Sequence, residues 1–140
     1  MIPTRPSIFE YAMRIAIAAS YRSEDAFHKV GAVALDSQNR VVATGYNGLA
    51  PKKVVPFDWW NSREDVRQLT IHAEQNLCTR FNGGDAVLVA VTLEPCGTCA
   101  LLLAAAGVKR VLWLEPYHND AARVFEFHGV AYEQFSMSTT

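Results

Sequence analysis

No apolar run in this chain approaches the roughly 18 residues that cross a bilayer, and the N-terminus lacks the charged, apolar and small-residue order of a secretory signal. A cytoplasmic protein without a membrane partner is expected. Basic charge is also scarce: Lys and Arg number 13 against 14 Asp and Glu, giving a net charge of −1. Polynucleotide binders neutralise phosphates with a basic excess that is missing here, so a small molecule is the expected partner and a polynucleotide is not. The short clusters Lys52-Lys53 and Lys109-Arg110 read as solvated surface. There are only three cysteines, an odd number that suits metal binding or redox work in a reducing compartment better than a disulfide framework. Internal repeats and low-complexity segments are absent too.

What the sequence does contain is ordinary for a globular fold, with 50% hydrophobic and 19% charged residues in 140. A chain of that length buries about 70% of its unfolded surface, so one domain over residues 1–140 is expected.

Along the chain, Ile8, Phe9, Ala12, Ile15, Ala16 and Ala19 recur at three- and four-residue spacing, which predicts a helix from Pro6 to Arg22. Val30 to Leu35 and Arg40 to Tyr46 predict two strands, joined through Asp36-Ser37-Gln38-Asn39 as an antiparallel hairpin. Gly48, Pro51 and Pro56 make residues 47–70 a long loop with a short helical piece, in which Trp59 and Trp60 pack on the core, cover it or meet another subunit. A helix over 72–81 is closed by Asn82-Gly83-Gly84. Buried strands over 86–92 and 108–114 flank an apolar helix over 96–106 that stops at Gly107. Asn119 or Asp120 caps a last helix ending at Gly129, and an edge strand follows over 130–135. This order of elements predicts an α/β/α sandwich around a five-stranded mixed sheet.

Chemistry concentrates in His72-Ala73-Glu74 and Pro95-Cys96-Gly97-Thr98-Cys99. One imidazole and two thiolates suit Zn2+, and three protein ligands leave the fourth tetrahedral position open, as a metal used for catalysis requires. His72 opens one predicted helix and Cys96 and Cys99 open another. The partial positive charge and unpaired N–H groups of a helix start favour thiolates there. Glu74 stands two residues from a ligand, close enough to serve as general acid and base without ligating. A structural zinc in a non-catalytic module is the competing reading, with Cys78 as a fourth ligand, although Cys78 falls on the apolar side of its helix. His28, His118 and His128 read as ordinary histidines.

The pairing of H-x-E with P-C-x-x-C is the signature of zinc nucleobase deaminases. With Arg22-Ser23-Glu24-Asp25, Val30-Gly31-Ala32-Val33, Gly45-Tyr46-Asn47-Gly48 and Ala106-Gly107-Val108-Lys109-Arg110-Val111, the chain resembles the cytidine and deoxycytidylate deaminase superfamily over nearly its whole length. The Gly-Tyr-Asn-Gly segment points within it to the deoxycytidylate branch. That resemblance implies hydrolysis of deoxycytidine monophosphate to deoxyuridine monophosphate and ammonia, with cytosine, cytidine, guanine or tRNA adenosine as alternative substrates. It also implies substrate contacts from Asn47 and Ala73, phosphate contacts from Arg22, Ser23 and Tyr117, and a homo-oligomer, dimer or hexamer. Leu49-Ala50-Pro51-Lys52-Lys53 departs from the branch pattern, so control by deoxynucleoside triphosphates is not expected. Thr92-Leu93-Glu94 is closer to the tRNA-adenosine and free-base relatives.

Overall fold

A computed structural model describes residues 2–117 and 120–137. The expected capping residue Asn119 and His118 lie outside the described residues. The first helix, α1 (Ile8–Ser20), starts where the Ser7 hydroxyl accepts the Glu10 N–H at 3.1 Å. This satisfies one of the donors that every helix start leaves free. Strands β1 (Gly31–Leu35) and β2 (Val41–Tyr46) pair antiparallel as predicted, with a bulge between Ala34 and Leu35. Their turn is held by Asp36, whose carboxylate accepts the backbone N–H groups of Gln38 and Arg40 at 2.8 and 3.0 Å. Asn39, at φ 64°, supplies the left-handed residue the turn needs.

Residues 47–70 hold the expected short helical piece as α2 (Arg63–Arg67), preceded by a 3-10 turn over Phe57–Asn61. A bridge from Gly48 to Ile71 closes the excursion. Trp59 and Trp60 join neither core cluster. Next come α3 (Ala73–Cys78), β3 (Leu88–Leu93), α4 (Gly97–Ala105), β4 (Arg110–Glu115), α5 (Ala121–His128) and β5 (Ala131–Gln134). Helix α3 stops short of the expected residue 81, with Thr79 donating its hydroxyl to the Asn76 carbonyl at 2.7 Å. Asp120 precedes α5 without a side-chain cap, and Gly129, at φ 70°, ends it.

The strand order is β2-β1-β3-β4-β5, antiparallel on the β2–β1–β3 side and parallel from β3 to β5. Side chains alternate across it. Val33, Leu35, Leu88, Ala90 and Leu112 meet Ala12, Met13 and Ala16 of α1 on one face. Ala32, Ala34, Val89, Val91 and Val111 meet Leu77, Leu103 and Phe125 of α3, α4 and α5 on the other. The result is the three-layer α/β/α sandwich with a five-stranded mixed sheet. Two glycines set the helix-to-sheet distance. A Cβ on Gly31 would lie 2.0 Å from the Ala16 carbonyl oxygen, and one on Gly45 would lie 2.8 Å from Ala73 O and Leu77 N.

Candidate metal centre and active-site cavity

The strand directions gather the chemistry at one end of the sheet. The register places the start of β1 beside the ends of β2 and β3, and the end of β4 beside that of β3. At this end α3 begins after His72, α4 begins after Cys96, and a cavity of about 600 Å³ opens between them.

His72 has extended backbone, with its N–H donated to the Gln75 side chain at 2.8 Å. Its Nδ1 lies 3.3 Å from Cys99 Sγ and 3.7 Å from Cys96 Sγ. A tetrahedral zinc with metal–sulfur bonds of about 2.3 Å and metal–nitrogen bonds of about 2.0 Å has ligand-to-ligand edges of roughly 3.5–3.8 Å. The donor set and spacing therefore fit the ion. Among the described residues no fourth histidine, cysteine or carboxylate joins this group. Cys78 packs half-buried against the core instead.

Hydrogen bonds from Cys99 and His72 draw the Cys96 thiol down to about 4, while the hydrogen bond to Cys96, together with burial, pushes Cys99 up. The His72 ring is raised, chiefly by its hydrogen bond with Cys96. Cys96, the residue before α4, accepts the Cys99 N–H at its sulfur at 3.4 Å, and a helix start of this kind favours a thiolate. Binding a dication releases the remaining thiol proton.

Glu74 lines the cavity and is only 4% exposed. Burial pushes its carboxyl up to about 7, against the pull of its own backbone N–H and of nearby His72. Ala73 is buried at the same helix start and also lines the cavity.

Asn47 reaches the cavity wall, but most of its amide is committed to the protein. Its Oδ1 accepts the Val30 N–H at 2.8 Å, and its Nδ2 donates to the His28 carbonyl at 2.8 Å and to Asp25 at 3.4 Å. Asp25 in turn accepts the N–H groups of Phe27 and His28 at 2.7 and 3.0 Å. This clasp shapes the wall formed by residues 25–30. Tyr117 lines the cavity, its backbone N–H donated to Glu94 at 2.8 Å.

Arg22 and Ser23 stand elsewhere and do not line the cavity. Ser23 is buried, its hydroxyl accepting the Asp25 N–H at 3.1 Å, and the Arg22 guanidinium lies 6.0 Å from the centre of the Tyr46 ring. The cavity is lined instead by His28, read from the sequence as an ordinary histidine, and by side chains given no role there: Phe27, Glu94, Glu115 and, from α2, Arg63 and Arg67. The signal for the last two was present in the spacing Arg63, Val66, Arg67, Thr70, one face of a helix.

An open mixed sheet with helices on both faces, an imidazole and two thiolates at two helix starts and a buried carboxyl beside them define a zinc-dependent hydrolytic deaminase. Comparison with known proteins agrees. Residues 6–115 match the cytidine and deoxycytidylate deaminase zinc-binding region, and the chain belongs to that family. It is 32% identical over 144 residues to the probable deoxycytidylate deaminase of Drosophila melanogaster, covering 89% of this chain and 70% of that protein. To the human deoxycytidylate deaminase it is 33% identical over 141 residues, covering 90% and 78%. The dCMP deaminase of cyanophage S-TIM5, solved with dCMP and dUMP, superposes with a TM-score of 0.78 at 26% identity, covering 95% of this chain and all of that one. No helix among the described residues is long and apolar enough to cross a membrane.

Proposed function

We propose that the protein hydrolyses deoxycytidine monophosphate to deoxyuridine monophosphate and ammonia, acting as one domain over its 140 residues. The observation that carries this is the buried Glu74 carboxyl on the wall of a cavity shared with His72 and Cys96. His72, Cys96 and Cys99 hold the zinc. The ion, when bound, supplies a Lewis acid that makes water nucleophilic near neutral pH. Glu74 takes a proton from the attacking water and passes it to N3 of the cytosine. It then carries the second proton to the departing amine, so that water and amine become carbonyl and ammonia. Phe27 and Val30, held by the Asn47 clasp, enclose the base. The choice of substrate is supported by the deoxycytidylate deaminases among the relatives and by the nucleotides bound in the cyanophage enzyme.

Self-association, as a dimer or hexamer, is part of the same reading, supported by the exposed apolar side chains of Phe57, Trp59 and Phe127. So is a cytoplasmic site of action.

The test is ammonia release from deoxycytidine monophosphate, deoxycytidine, cytidine, cytosine and guanine. The monophosphate is expected to give the highest kcat/KM, and a higher value for any unphosphorylated compound overturns the substrate assignment. Glu74→Ala is expected to keep its zinc and to lose about 10²–10⁴ in kcat. Undiminished turnover removes Glu74 from the chemistry.

A further inference from the structure

Helix α2 turns one face to the cavity: Arg63, Val66, Arg67 and, one turn on, Thr70. Val66, at 1% exposure, seats that face against the protein, and the two arginines beside it stand exposed at the cavity. The cavity also receives four carboxyl groups, three of which have partners. Asp25 accepts from Phe27, His28 and Asn47, Glu94 accepts from Tyr117, and Glu115 faces His28 at 4.0 Å. The fourth, Glu74, stands by the metal cluster.

The two guanidinium groups are not balanced in this way. Arg67 meets Glu64 at 3.6 Å in an exposed pair on its own helix, which contributes little, and Arg63 has no hydrogen bond or ion pair among the described residues. Two guanidinium groups, one without a partner among the described residues and one with only an exposed partner, therefore reach the same cavity as the metal ligands.

We infer that Arg63 and Arg67 form the anion subsite that selects a nucleoside 5′-monophosphate over the bare nucleoside. This assignment rests on the proposed deamination of deoxycytidine monophosphate. With the exocyclic amine at Glu74, the 5′-phosphate is the end of the nucleotide farthest from the metal, and the α2 face provides planar donor forks suited to its oxygens. The positions differ from Arg22 and Ser23, whose side chains are taken up by the Tyr46 ring and by the turn at Asp25.

The experiment measures kcat/KM for deoxycytidine monophosphate and for deoxycytidine in wild type, Arg63→Gln, Arg67→Gln and the double variant. Zinc content and melting temperature are followed in each. The monophosphate-to-nucleoside ratio is expected to fall by about 10- to 100-fold for each arginine, as loss of a charge-assisted hydrogen bond requires. Most of the loss should appear in KM. Arg63→Lys and Arg67→Lys should recover part of the ratio, and calorimetry should show the same losses in affinity for deoxyuridine monophosphate but not for deoxyuridine. If the wild type prefers the monophosphate and the double variant keeps that preference, the arginine assignment is overturned while the deamination stands. If the wild type prefers deoxycytidine, the monophosphate reading itself fails and the subsite with it.

Discussion

The Nδ1 of His72 and the Sγ of Cys99 lie 3.3 Å apart across 27 residues of chain. One comes from the residue before α3, the other from the first turn of α4, and the sheet end beneath both helices brings them together. A cation bound between them ties two segments that packing and the His72 hydrogen bonds to the two sulfurs hold side by side.

Metal removal should therefore register in stability as well as in turnover. At a free zinc concentration a thousandfold above its Kd, binding contributes about 4 kcal/mol, on the order of 10 °C in Tm for a chain of this size. Chelation is expected to lower the melting temperature by that amount, and Cys99→Ser to abolish stoichiometric zinc in atomic absorption. An unchanged Tm after complete chelation contradicts the linkage.

Gly31 and Gly45 offer a paired test, because each lets a helix approach the sheet but only one of those helices carries the site. Alanine at either position drives a Cβ into helix backbone, 2.0 Å from Ala16 O or 2.8 Å from Ala73 O. Overpacking of this kind costs about 1–3 kcal/mol, with Gly31→Ala at the upper end. Gly45→Ala should also lower zinc affinity, since α3 cannot shift without moving His72. Gly31→Ala should leave it intact. Equal zinc affinities in the two variants would falsify this account of Gly45.

Asn47→Ala strips the buried Val30 N–H of its acceptor and the His28 carbonyl of its donor. A destabilisation of about 2–3 kcal/mol in urea unfolding is expected, together with a raised KM as the 25–30 wall loosens. A change below about 0.5 kcal/mol would mean that other groups or water replace the amide.

Asp36 gives the acid-side pH dependence a definite sign. The N–H groups of Arg40 and Gln38 hold its carboxyl below the usual value, aided by the Arg40 guanidinium. The unfolded chain takes up this proton first as pH falls. The stabilisation is therefore complete above the unfolded value of about 3.9 and is lost as pH drops through the folded one. Asp36→Asn keeps an acceptor that cannot titrate, so its unfolding curve should slope less than wild type below pH 4 and parallel it above pH 5. Identical slopes throughout would exclude Asp36 from acid unfolding.

Much of the fold was legible because its elements carry strong local patterns. The spacing from Ile8 to Ala19 fixed α1 to within two residues at each end, and the uninterrupted apolar runs located β3 and β4. The His72, Cys96 and Cys99 cluster was legible because ligand chemistry and helix starts coincide in short motifs. Helix α2 was legible only as a short helical piece without bounds, since a single buried residue, Val66, gives no apolar period and the surrounding prolines argue for loop. Nor could local pattern reveal that Asn47 serves backbone groups 17 and 19 residues upstream. Arg22 and Ser23 were placed by resemblance, but the turn after α1 takes up the Ser23 hydroxyl.

Phe135, just past β5, meets the ring of Phe9 near the start of α1 edge-on at 6.5 Å, so both ends of the described chain pack on the α1 face of the sheet. Neither of these two segments lines the cavity. A substitution that removes the Phe9–Phe135 contact therefore loosens both ends at once without touching a residue that lines the cavity.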